Sequence, residues 1–129
     1  MKISIQKPRL ALNKAFLKIK PNRKDIELFK TNLISLLDQI NEAESEEHHK
    51  NIVSKFLDST YYNGSHYINT KGRNDLVIHN GKDAKSSVGV ILEAKKPTNK
   101  AEMLKTDNLN TKAFQELVLY YLRERIKKK

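Results

Sequence analysis

The chain has no cysteine, which excludes disulfides and thiolate metal sites and fits a cytoplasmic protein. No apolar run approaches the roughly 20 residues of a membrane span. The Lys-rich N-terminus lacks the apolar core of a secretion signal. Neither a Gly-rich phosphate loop, a Ser-His-Asp set nor a Cys/His zinc pattern is present. Acidic residues are the scarcer charge, 15 against 25 Lys and Arg, giving a net charge of +10 over 129 residues. A field of that sign attracts polyanions, of which nucleic acid is the commonest. The composition, 38% hydrophobic and 31% charged, is that of a globular chain with a wet surface. Its length fits one domain.

Residues 1–24 hold eight Lys or Arg and no Asp or Glu. Pro8 and Pro21 bracket Leu10, Leu12, Phe16, Leu17 and Ile19, so this segment is expected to be a basic arm with one short helical stretch. It either contacts phosphates or packs on the domain as a lead-in, and the second reading is preferred. Residues 25–129 form the domain itself. Asp25 is expected to cap a helix over 25–42, whose apolar residues Ile26, Phe29, Leu33, Leu36, Leu37 and Ile40 recur at helical spacing. Ser45 opens a second helix over 46–59, in which His48 and His49 are expected to be exposed.

Three strands are expected next. One begins near Tyr67 and Ile68 and leads into a hairpin turn at Asn69–Gly72. The others lie near 74–79 and 88–95. Asn80-Gly81 between them marks an antiparallel hairpin. His79 is expected at the surface. A last helix over 111–127 turns Ala113, Phe114, Leu117, Val118, Tyr121 and Leu122 inward. The order is ααβββα, an α/β fold. A sheet of three strands under a helix wants a further strand, so the chain is expected to be a fragment of a longer polypeptide lacking that final strand.

Chemistry concentrates at two of these strands. Asp75 opens one of them, and Glu93-Ala94-Lys95 closes the other. Residues i and i+2 share a strand face, so Glu93 and Lys95 stand together, with Val90, Leu92 and Ala94 expected to point into the core. A hairpin brings Asp75 within reach of Glu93. Carboxylates so placed can hold one or two Mg²⁺ ions, which lower the pKa of a bound water and screen a phosphate. Lys95 can orient that water or neutralise developing charge. An isolated E-x-K more often marks a salt bridge. Here it follows the apolar run Val88–Leu92 and is matched by an Asp opening a second apolar strand, where unpaired charge is costly.

The motif Asn74-Asp75 … Glu93-Ala94-Lys95 resembles the PD-(D/E)XK nuclease superfamily, with Asn74 where that pattern usually has Pro. Asn69–His79, Val88–Pro97 and Ala113–Arg125 together resemble the N-terminal nuclease part of type IIG restriction–modification enzymes, and the similarity covers most of 46–125. The resemblance implies a restriction-endonuclease-like mixed β-sheet flanked by helices, and Mg²⁺-dependent cleavage of double-stranded DNA, with Mn²⁺ as a substitute. It also implies a methyltransferase and target-recognition regions elsewhere in the parent polypeptide, and dimerisation on DNA. Asp75 and Glu93 match the metal ligands and Lys95 the catalytic lysine. Relatives add a helix Glu, for which Glu46 is preferred over Glu47 by helical angle; an acidic first turn suited to the helix dipole is the alternative. Relatives also carry a Gln and a Tyr four apart on the last helix. Gln115 and Tyr120 are five apart here, leaving Gln115 at most on the rim. Lys71, Arg73, Lys96 and Lys100 surround the site as candidate phosphate contacts, which position DNA without reading its sequence. Two rivals remain: a non-catalytic basic DNA-binding module of the same fold, and a protein-interaction domain. Holliday-junction or repair-type cleavage would use similar residues.

Overall fold

The computed structural model describes residues 4–71 and 74–126. The arm contains one helical turn, α1 (Pro8–Ala11), and a 3-10 turn at Phe16–Lys18. Every residue from 4 to 31 is exposed, so the arm does not pack on the domain.

Helix α2 (Arg23–Asp38) begins earlier than expected because Asn22, not Asp25, caps it. The Asn22 side chain accepts from the Asp25 N–H at 2.9 Å, and Asp25 adds its charge in the first turn. Its apolar stripe is largely uncovered: Ile26, Leu37 and Ile40 are exposed, and Leu33 and Leu36 are half-buried. Helix α3 (Glu46–Leu57) is capped by Ser45, as the sequence predicts, with Ser45 Oγ accepting from the His48 N–H at 3.1 Å. Ser45→Ala is expected to lower stability by about 1 kcal/mol, the usual loss for such a cap, in urea denaturation. An unchanged midpoint would mean the cap carries no weight here. Helix α3 buries His49 and Ile52. His49 is therefore a packed residue rather than an exposed one, held by its Nδ1 contact of 2.8 Å with the Ser45 carbonyl. Phe29 meets Phe56 edge-on at 6.1 Å, and Asn32 donates to Thr60 Oγ1 at 3.1 Å, fastening α2 to α3 and to the wide turn after it (Asp58–Tyr62). Asn63 and Gly64, both left-handed with φ of 31° and 73°, end that turn.

The sheet comprises β1 (Ile68–Lys71), β2 (Asn74–His79) and β3 (Val88–Leu92) in the order β1-β2-β3. All pairings are antiparallel, where the sequence suggested a mixed sheet. Short connections leave no room for a crossover, so the described strands can only alternate in direction. Residues 69–71, expected in a turn, extend β1 instead; Gly72 lies outside the described residues. Gly89 has a specific reason to lack a side chain. A Cβ there would fall 2.3 Å from Asn80 Oδ1, and the Asn80 amide is fixed by donating to Ser87 Oγ at 2.8 Å.

Helix α4 (Lys112–Ile126) packs on β3 and α3 on β2, so β2 is covered on both faces. The closed core is small, made of Ile52, Leu76, Val77, Ile78 and Tyr120, with Val77 at 0% exposure. Val90 is exposed, contrary to expectation, because β3 is an edge strand whose outer part no helix reaches. His79 is not at the surface. It is 1% exposed, its Nδ1 lies 2.8 Å from the Ser86 carbonyl and its Nε2 3.0 Å from Asn69 Oδ1. Helix α4 turns only part of the expected face inward. Ala113, Phe114 and Leu117 are covered as expected, together with Glu116, Tyr120 and Glu124, whereas Val118, Tyr121 and Leu122 are exposed. Among the described residues, no helix is long and apolar enough to cross a membrane.

Candidate active site

The strand register assembles the site. Leu76 pairs with Leu92 and Val77 with Ile91, so the register brings Asp75 up to Glu93, the residue just past the last pair, and the Asp75 charge is felt there. Directly opposed residues share a face, with their side chains about 5 Å apart. Val77 and Ile91 lie on this same face, and Ile91 adjoins Leu117 and Val118 of α4. Strand β3 ends at Leu92 rather than at Lys95. The Ala94 N–H donates to Asp75 Oδ2 at 2.9 Å, so a side chain takes up the donor and Glu93-Ala94-Lys95 leaves the ladder under the control of Asp75.

Lys95 sits between two carboxylates. Its Nζ contacts Glu93 Oε1 and lies 3.0 Å from Glu116 Oε2. Its side chain is 5% exposed and that of Glu93 6%, so both charges are nearly out of water. Burial works to lower the pKa of Lys95, but the hydrogen bonds and charges of Glu93 and Glu116 outweigh it and hold the ammonium well above its usual range. Burial raises Glu93, to about 7; Lys95 opposes this, while Glu116 and the Asp75 charge add to it. For Glu116 burial is again the largest influence and upward, yet Lys95 and Glu93 together pull its pKa below the ordinary value. Tyr120, one turn after Glu116, has its phenol raised by burial and then by the charges of Glu116, Glu93 and Asp75.

A second lysine approaches from α3. Lys50 Nζ contacts the Glu47 carboxylate and lies 3.8 Å from Asp75 Oδ1. Its pKa is raised, the Glu47 hydrogen bond prevailing over burial. Glu46 and Glu47 thus separate in role. Glu47 is exposed and committed to Lys50. Glu46 turns toward the site, where its Oε2 accepts from the Lys96 N–H at 3.1 Å.

The remaining candidates spread outward. Lys71 pairs with Glu124 of α4 at 3.2 Å. Lys96 is half-buried and Lys100 exposed. Arg73 lies outside the described residues. Gln115 is not brought to the site: it is exposed and donates to Asn110 Oδ1 at 2.6 Å. Glu116 is the residue the sequence reading missed. Glu116 and Tyr120 are four apart, the spacing sought for Gln115 and Tyr120, with a carboxylate in place of the amide.

Among the described residues, no three His, Asp or Glu side chains are set to hold a metal ion. Asp75 and Glu93 offer a neighbouring pair, and Glu93 Oε2 is buried without a hydrogen-bond partner. An orphaned carboxylate oxygen beside a second carboxylate is chemistry that a hard divalent cation would satisfy, since Mg²⁺ takes one or two carboxylates and keeps several waters.

The chain belongs to the family described as a domain of unknown function (DUF7149), which matches residues 6–129. Compared with curated proteins and with solved structures, the chain has no match.

Proposed function

We propose that this chain is a Mg²⁺-dependent DNA endonuclease domain of the PD-(D/E)XK kind, with a restriction-endonuclease-like fold, serving as the nuclease portion of a type IIG restriction–modification enzyme. The observation that carries this reading is the approach of Asp75 to Glu93 with Lys95 buried beside them. A carboxylate pair and a lysine held in an apolar setting are expensive to maintain without a chemical use. Asp75 and Glu93 would hold the ion, with Mn²⁺ as a substitute, and Glu46 would support the segment that follows Lys95. When bound, the ion supplies a water of lowered pKa and charge against the phosphate.

The protein's own groups divide the remaining work. Lys95 keeps its proton throughout the neutral range, so it acts as a fixed cation against charge developing on the phosphate, not as a base. Glu116 positions Lys95 from α4. The net charge of +10 and exposed lysines such as Lys100 favour DNA by contacts to its backbone. Target choice would then belong to other regions of the parent polypeptide, and cutting both strands to two nuclease domains together on DNA.

The test is nicking of supercoiled plasmid in Mg²⁺ by the chain and by Asp75→Ala. The expected result is metal-dependent cleavage that the substitution abolishes. Absence of both cleavage and Asp75-dependent metal binding would sink the proposal. Salt-sensitive DNA binding without either would instead assign the fold to a non-catalytic binding module.

A further inference from the structure

Two uncovered apolar surfaces of this chain carry opposite charge. On the arm, Ile5, Leu10, Leu12, Phe16, Leu17 and Ile19 are all exposed. They are interleaved with cations, since residues 1–24 hold eight Lys or Arg and no acid. The second surface is a groove of about 320 Å³ where the end of α2 and the face of α3 meet the sheet, lined by Leu36, Ile40, Ile52, Val53, Leu76 and Met103. The chain leaving that groove is acidic. Residues 31–49 contain Asp38, Glu42, Glu44, Glu46 and Glu47 and no Lys or Arg. Lys50, Glu93 and Lys95 also border the groove, so an arm seated there would lie against the candidate site; Lys50 is already paired with Glu47, and Lys95 with Glu93 and Glu116.

His49 supplies an independent sign that the groove takes an occupant. It lines the groove, and its buried Nε2 has no hydrogen-bond partner, while Nδ1 faces the Ser45 carbonyl and so carries the proton. Nε2 is thus a desolvated acceptor. A buried polar atom left unpaired is costly. Amide and ammonium donors occur in the arm at Asn13 and Lys14.

We propose that the groove receives the N-terminal arm of a second copy of this chain, in a reciprocal arm exchange. Apolar side chains would fill the groove, and the arm's cations would face the acidic run 38–47. Such a contact is self-complementary, because each copy carries both halves of it. A partner in trans is favoured by geometry. The arm joins α2 at its far end from Ile40, a helix length of about 24 Å for 16 residues. Pro21 fixes its own φ and keeps Lys20 extended, which disfavours the tight reversal needed to run back along α2. The apolar residues distinguish this from a phosphate contact, which would use the cations alone.

The test is solution mass by light scattering at tens of micromolar, on the full chain, a form lacking residues 1–19, and Ile40→Asp. The arm is exposed and Ile40 lies at the surface, so neither change removes core; thermal melts would verify that. The full chain is expected at twice the chain mass and each variant at half that value. Mixing the two variants rebuilds one of the two contacts, the intact groove of one with the intact arm of the other, so a partial return of the doubled mass that grows with concentration is expected. A full chain of single mass would overturn the proposal, including one whose groove is protected by its own arm. So would a doubled mass that survives deletion of the arm, or a deletion that weakens only DNA binding.

Discussion

Lys95→Ala is expected to destabilise the fold by about 3 kcal/mol at pH 8, the low end for removing one partner of a buried ion pair, and by clearly less at pH 5. The substitution removes the cation between Glu93 and Glu116 and leaves two neighbouring carboxylates in a poorly solvated place. The Glu93 pKa, already raised, must then rise further, and that of Glu116 loses the pull that holds it down. An acid with a raised folded value contributes stability below its unfolded pKa and loses it as pH climbs through the folded one. The loss therefore grows between pH 5 and pH 8 as the carboxyls are forced to ionise. Urea denaturation at the two pH values measures it. A deficit that did not change with pH would mean Lys95 acts through packing of its stem rather than through charge. Cleavage should fall by about a hundredfold or more, since a fixed charge aimed at the developing oxyanion is lost.

Glu93→Gln is expected to do the opposite to stability while still abolishing cleavage. Glu93 titrates near 7 in the folded chain against an ordinary value of 4.5, raised first by burial. Its contribution is complete below the unfolded pKa and fades as pH rises through about 7. Glutamine cannot ionise, so the variant should gain on the wild type by about 2 kcal/mol on going from pH 5 to pH 8. Lys95 does not become an orphan, because Glu116 remains 3.0 Å away with a lowered pKa. Paired melts at pH 5 and pH 8 decide the matter. A variant that weakened relative to wild type at the higher pH would show that Glu93 is already ionised against Lys95, with burial the lesser influence. Stability gained where activity is lost is the pattern expected of a site assembled for chemistry.

The strands and the Ser45 cap were legible because short-range physics decides them. Short apolar runs, Leu76–Ile78 and Val88–Leu92, on either side of Asn80-Gly81 can do little except form a hairpin, and a serine before an acidic first turn satisfies its own helix. The end of β3 was not legible, because the Asp75 side chain captures the Ala94 N–H, a contact nineteen residues away in sequence. The facing of α4 was legible only in part, for a different reason. Leu117, Val118, Leu119, Tyr121 and Leu122 surround much of that helix, so apolar periodicity does not choose a face. The choice falls to ion pairs, with Lys95 drawing Glu116 inward and Lys71 drawing Glu124. An E-x-x-x-Y spacing at Glu116 and Tyr120 was the available signal, obscured because an amide was sought there. His49 and His79 were misplaced outward because their partners, the backbone carbonyls of Ser45 and Ser86, leave no trace in composition.

Strand β2, covered on both faces, also orders the events of opening. Its amides belong to the unit that opens last, while the exposed arm and the surface of α2 exchange with solvent almost at once. Asp75 rides on the slow unit. Glu116 belongs to α4, and Lys95 to the segment beyond the edge strand, both of which can part from β2 at a smaller free energy than global unfolding. Brief excursions of α4 would thus take the constellation apart and rebuild it around a fixed aspartate, without the chain ever leaving its native topology.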